Sequence, residues 1–196
     1  MGVPRFTAAE LDAARSRTLP DVLPGPGDPP LRVLFSGINP GLLSAAAGQH
    51  FARPGNRFWP VLHASGFTPR LLRPDEQWEL ARLGLGITNV VARTTARADE
   101  LSAEEMVTGA ARLRELVADV RPAWLAVVGI TAYRTGFAAP KATVGPRVEA
   151  LGDTRVWVLP NPSGLNAHWQ LPAMAAEYAR LREAADQAVS SSGGVS

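Results

Sequence analysis

The sequence predicts a three-layer α/β/α domain built on a mostly parallel central sheet. Three observations carry that expectation. Four short runs, Leu31–Gly37, Leu85–Val91, Ala123–Gly129 and Arg155–Leu159, are apolar and rich in β-branched or aromatic residues. Between them lie segments with apolar residues at helical spacing, the alternation expected of a parallel sheet covered on both faces. Two of the runs also end in nearly the same turn: LRVLFSGINPG over 31–41 and RVWVLPNPSGL over 155–165. If both are parallel strands, Asn39-Pro40-Gly41 and Asn161-Pro162-Ser163-Gly164 open at one carboxyl edge. Open α/β sheets bind their ligands at that edge.

The elements follow in order. Thr7-x-x-Glu10 is a capping-box pattern that opens a helix to about Arg17. Residues 19–30, LPDVLPGPGDPP, carry too much Pro and Gly for a regular element and read as a linker. Leu31–Gly37 is the first strand, and 42–55 reads as a small-residue loop. A helix over 57–65 is expected with Asn56 as its cap and Pro60 tolerated near its first turn. A second short helix spans 75–83, and Leu85–Val91 is the next strand. Ser102-x-x-Glu105 caps a long helix to about Val120, with Met106, Val107, Ala110, Leu113, Val117 and Val120 at helical spacing.

Ala123–Gly129 is the third strand and 131–137 a short helix. RVEALGDTRVWVL reads as a hairpin about its Gly-Asp turn, its second arm being the last strand. A final helix over 171–188 places Leu171, Met174, Tyr178, Leu181 and Ala185 on one face, and a polar flexible tail is expected beyond it. The organisation is therefore an N-terminal helix and linker over 1–30, one domain over 31–188, and a tail over 189–196.

Composition narrows the function. The chain has 196 residues, enough for one domain with a substantial core. No apolar stretch is long enough for a membrane span, and the first 16 residues lack an apolar signal core, so a cytoplasmic protein is expected. With no cysteine there is no disulfide, thiolate nucleophile or cysteine-held metal. His50, His63 and His168 lack metal-like spacing, so no metal site is expected from them. The Rossmann glycine pattern, the Walker A loop, the nucleophile elbow and the zinc-deaminase signature are all missing.

Net charge is only +2, but 31–98 holds eight Arg against three acids. Arginine grips phosphate in a bidentate fork, so a basic segment around the first turn suits a polyanion. An Arg-rich genome-wide composition is the plainer explanation, since Lys141 is the sole lysine.

Asn39 ends the first strand. An Asn capping its own turn is the ordinary reading, and a polar group presented at the sheet edge is the functional one. Phe51 stands among small and polar residues in GQHFARPGNRFW, either as a core ring or as a platform for a planar ligand. Leu165 lies at the tip of a Pro-Ser-Gly loop. It either folds back on Trp169 or stands out as an apolar wedge of the kind that parts base steps.

GINPGL (37–42), FARPGNRFW (51–59), GITNVVARTT (86–95) and LPNPSGL (159–165) together resemble the mismatch-specific uracil-DNA glycosylases. This is the Mug and thymine-DNA glycosylase branch of the uracil-DNA glycosylase superfamily. The resemblance covers about 31–184. It implies a uracil-DNA glycosylase-like fold and a monofunctional, cofactor-free hydrolase in base excision repair. That enzyme would cut the N-glycosidic bond of uracil in double-stranded DNA, preferring G·U pairs, with related modified or mispaired pyrimidines left open.

Carried over by residue, the resemblance makes Asn39 catalytic, positioning water at C1′. It places Phe51 against the flipped pyrimidine, Ile38 and Ser44 in the base pocket, Asn89 on the strand facing it, and Asn161 near the leaving base. Gly164, Leu165 and Asn166 would form the DNA wedge. The expected partner is duplex DNA containing a mismatched or damaged pyrimidine, with no membrane partner and a monomeric state.

Two departures stand out. Asn166-Ala167-His168 replaces the arginine that often follows the wedge, and Ala92 stands where some members carry an acid. No lysine lies near either turn, which speaks against a Schiff-base lyase. The alternatives are a DNA-lesion binding module of the same fold and a small-molecule enzyme using the same crevice.

Overall fold

A computed structural model describes residues 5–192. Five strands form one sheet in the order β2-β1-β3-β5-β4. They are β1 (Val33–Gly37), β2 (Leu85–Asn89), β3 (Trp124–Val128), β4 (Gly145–Pro146) and β5 (Arg155–Leu159). β1 pairs in parallel with β2 and with β3, β3 pairs in parallel with β5, and only β4 runs antiparallel. The expected α/β fold with a mostly parallel sheet is what the chain adopts.

The pleat sorts side chains into two cores, as period-two strands must. Phe35, Ile87, Ala126, Val128, Trp157 and Leu159 face one core, completed by α3 (Phe58–Ala64) and α6 (Leu171–Ser192). Leu34, Leu125, Val127, Val156 and Val158 face the other, completed by α4 (Ala103–Val120) and α5 (Ile130–Gly136). Burial on both faces explains why the strands read as continuous apolar runs rather than alternating ones. In α6, Met174, Tyr178, Leu181 and Ala185 are buried, and Leu171 packs beside them.

Several boundaries differ from expectation. The 42–55 segment is not all loop: α2 (Leu42–Ala47) forms there and stops at Gly48, whose positive φ only glycine adopts freely. Its Ala-rich composition favours helix, and the preceding Asn-Pro-Gly concealed that. The helix expected from residue 57 starts at Phe58, yet Asn56 still supplies its capping acceptor, with Oδ1 2.9 Å from the Phe58 N–H. Pro74–Leu83 is a 3₁₀ helix, and β2 ends at Asn89, two residues early.

In α4 the capping box is present, but Val107 lies on the exposed side and Gly109 takes a place in the buried face. The hairpin forms about Gly152-Asp153, with Leu151 bridging Thr154, but its regular first arm is only Gly145–Pro146. α6 continues to Ser192, past the expected end, and residues 193–196 lie outside the described residues, as do 1–4.

The N-terminal segment does more than link. α1 (Ala8–Ala13) carries the expected Thr7–Glu10 capping box. Beyond it, Val22 is fully buried and exchanges two backbone hydrogen bonds with Ile87, at 2.8 and 2.9 Å. Val22 therefore pairs with the outer edge of β2, while the Arg17 carbonyl accepts from Thr94 Oγ1 beyond the end of that strand.

Candidate active site

Parallel pairing puts the carboxyl ends of β1, β2, β3 and β5 on one side, so whatever follows each strand meets there. A cavity of about 400 Å³ opens at that edge. Ile38, Asn39, Ser44, Phe51, Asn89, Asn161 and Leu165 all border it. The chain reverses its direction of travel across the sheet between β1 and its two neighbours, the switch point at which such crevices form. A larger cavity of about 780 Å³ lies at the opposite edge, between Arg32, Arg114, Pro122 and Leu151. It gathers none of these side chains.

Asn39 is held by its nitrogen. Nδ2 donates to the Arg93 carbonyl at 2.9 Å, to Thr95 Oγ1 at 2.7 Å and, less closely, to the Pro40 carbonyl at 3.2 Å. With the NH₂ group so engaged, Oδ1 is the free end of the amide. The 93–95 loop is itself anchored. Thr95 N–H donates to the Pro40 carbonyl at 3.1 Å, and Arg93 pairs with Glu105 at 2.6 Å. The Arg93 guanidinium, with the Ser102 N–H, pulls the Glu105 carboxyl down to about 2.

Phe51 is both packed against the core and at the border of the cavity. One ring face stacks on the buried Phe58, with centroids 3.9 Å apart and planes 19° from parallel. The residue sits at φ 54°, a left-handed conformation that costs about 1–2 kcal/mol without glycine. Such strain is held by its surroundings: the next N–H, of Ala52, donates to Ser44 Oγ at 3.1 Å. Ser44 thus braces the turn that presents the ring. Gly37 makes room for both Phe51 and Asn89. A Cβ there would lie 3.2 Å from the Phe51 ring and 2.7 Å from Asn89 Oδ1.

The orientation of Asn89 follows from His50. His50 Nε2 lies 3.0 Å from the Pro20 carbonyl. A carbonyl only accepts, so that nitrogen carries a proton. Burial pushes the His50 pKa down and keeps the ring neutral, so Nδ1 is bare. Nδ1 therefore accepts from Asn89 Nδ2, at 3.4 Å. The Asn89 oxygen is turned the other way, to the Gly37 and Phe51 side.

The second turn forms a self-braced loop. Asn161 Oδ1 accepts from the Ser163 N–H at 3.0 Å, leaving its NH₂ free to face the cavity it borders. Asn166 does not reach outward. Its Nδ2 donates to the Asn161 carbonyl at 2.9 Å and its Oδ1 accepts from the His168 N–H at 3.2 Å. Gly164 is required by contact, since a Cβ would sit 2.5 Å from the Gly55 carbonyl oxygen. Leu165 is 78% exposed and has not folded back on Trp169.

Arg57 holds this loop in place. Its guanidinium donates to the carbonyls of Ser163 at 2.5 Å, Trp169 at 2.7 Å and Asn166 at 2.9 Å. Its backbone N–H donates to the Pro162 carbonyl at 2.8 Å. Two arginines border the cavity mouth: Arg97 pairs with Asp99, and Arg53 forms no ion pair among the described residues. Lys141 lines a separate cavity with Tyr133 and Phe137.

The site thus offers an oriented amide oxygen, a ring platform, two further amides and an exposed apolar tip beside free positive charge. A sequence model of the uracil DNA glycosylase superfamily matches residues 24–185.

Proposed function

The chain belongs to the uracil DNA glycosylase superfamily, and from that premise we propose that it is a monofunctional hydrolase of the mismatch-specific branch, releasing uracil from G·U pairs in duplex DNA. The observation that carries the reading is the grip on Asn39 Nδ2 by Arg93 and Thr95. It leaves Oδ1 as a fixed acceptor at the edge of a pocket floored by Phe51.

The chemistry follows from what these groups are. The target nucleotide leaves the stack, because its C1′ is unreachable within the duplex. Its base stacks on Phe51. Asn39 Oδ1 accepts one water hydrogen and aims the water's lone pair at C1′. An amide is too weak a base to remove a proton at neutral pH, so the C1′–N1 bond must be well advanced in breaking before water adds. The departing pyrimidine takes the bonding electrons as an anion, and the proton that water loses on bonding to C1′ passes to solvent or to that anion. Asn161, which borders the cavity with an unengaged NH₂ group, is a candidate donor to the anion. Leu165 fills the space the base vacates, and the 53–57 turn backs the loop that carries it. Lys141 lies outside this cavity, which supports simple hydrolysis over a Schiff-base lyase.

A labelled duplex with one G·U pair tests the reading. The wild-type protein is expected to yield an abasic site without strand cleavage, and no abasic product would sink the enzyme assignment in favour of a lesion-binding module. Asn39→Ala is expected to slow release at least about a hundredfold while keeping duplex affinity. Wild-type rates in that variant would remove Asn39 from the mechanism.

A further inference from the structure

We propose that the segment over 17–22, together with His50, belongs to the base-reading apparatus. The Pro20 carbonyl, acting through the His50 ring, fixes which end of the Asn89 amide faces the pocket. In doing so it selects pyrimidines that carry a hydrogen at N3.

An amide reads opposite edges depending on its orientation. With its oxygen toward the base, Asn89 accepts from the N3–H of uracil. With its nitrogen there, it would donate to the bare N3 of cytosine. His50 decides between the two, because its Nδ1 meets Asn89 Nδ2 at 3.4 Å. If Nδ1 carried the proton, Asn89 would have to turn its oxygen to the ring and its NH₂ to the cavity. The proton is placed elsewhere by a carbonyl 30 residues earlier in the chain, at 3.0 Å from Nε2. Pro20 and His50 are thus positioning residues, and Asn89 is the one that touches the base.

The segment is secured for this task at both ends. Val22 is clipped to Ile87, two residues before Asn89 on the same strand. Thr94 Oγ1 donates to the Arg17 carbonyl at 2.6 Å, and Thr94 lies between the two residues that grip Asn39. Leu19 borders the cavity directly. His50 is further locked through its backbone: its N–H donates to Gln77 Oε1 at 2.8 Å, and its carbonyl accepts from Trp59 Nε1 at 3.1 Å. Residues 17–22 precede the 24–185 stretch matched by the superfamily.

The proposal rests on the glycosylase reading, and its test separates the two. Duplexes carrying 5-fluorouracil or 5-fluorocytosine opposite guanine present leaving groups with the same 5-substituent and opposite N3 edges. Single-turnover release by the full chain gives a uracil-to-cytosine ratio. His50→Leu is expected to lower that ratio about tenfold or more, the scale of one misread hydrogen bond. His50→Gln keeps an N–H for Pro20 and an oxygen for Asn89, and is expected to hold the ratio within about threefold, the residue of an imperfect amide-for-imidazole fit. Both rates falling together in His50→Leu, with the ratio unchanged, would overturn the proposal. Failure of the wild-type protein on both duplexes would overturn the glycosylase reading instead. If His50→Leu does not fold, the ¹⁵N shifts of the wild-type His50 ring carry the test. A protonated Nε2 with a bare Nδ1 supports the relay, and the opposite tautomer refutes it.

Discussion

At Arg57, three carbonyl oxygens of one loop converge on a single guanidinium. Their donor is 106 to 112 residues away in the chain. That explains why neither Arg57 nor His50 was legible as a functional residue. Their partners are backbone oxygens, which carry no side-chain signature, in segments brought near only by the fold. Asn39, Phe51 and Leu165 stood out in the sequence at a strand end or a turn of unusual local chemistry, Asn89 and Asn161 only through the motif resemblance, and the fold brings all five to the border of one cavity. The grip of Arg57 also has a measurable value. Replacing it with Met removes charged donors each worth about 1.5–3 kcal/mol at most, and part of that is recovered by water. Amide exchange over 161–169 is expected to quicken while the sheet stays protected, and release from G·U duplex to slow about tenfold, the equivalent of about 1.4 kcal/mol. Unchanged exchange in that loop would show that other contacts hold it.

Among the elements, those with strong end signals were the ones the sequence placed well. Ser102 and Glu105 start α4 where their capping box says they should. α2 was missed because six residues give little periodicity to read and a proline-glycine turn precedes them. The 161–166 loop is an element in its own right, closed by Asn161, Asn166 and Arg57. Its rigidity is what allows a leucine to stand exposed without collapsing. Leu165→Ala is expected to leave stability within about 0.5 kcal/mol, as for other exposed positions. Release of uracil from duplex should nonetheless slow, because the vacated stack is no longer filled. Equal rates for wild type and variant on both matched and mismatched uracil would argue against a wedge.

For the whole molecule, the parallel sheet was legible from strand composition, and the convergence of two distant turns followed from strand direction alone. What the sequence did not disclose is the distribution of free charge, because most arginines near the site are spent on acids or carbonyls. Arg93 is bound to Glu105, Arg97 to Asp99 and Arg57 to the loop. Arg53 stands apart at the cavity mouth, with no ion pair among the described residues. It is therefore the side chain best placed to replace a counterion on a phosphate. Arg53→Ala should make duplex binding less salt-sensitive, lowering the slope of log affinity against log salt by about 0.9. An unaltered slope would mean that Arg53 contacts no phosphate.

The Val22–Ile87 pair has a second effect, unrelated to catalysis. It lies along the flank of the sheet that β2 would otherwise offer to solvent, and the opposite flank ends in a strand of only two residues. Neither side presents a long ladder of open amides to a neighbouring chain. Natural sheets resist strand-to-strand aggregation by this kind of covering and shortening. The Val22–Ile87 bridge that anchors the N-terminal segment thus also covers part of an edge at which another chain's strand could add.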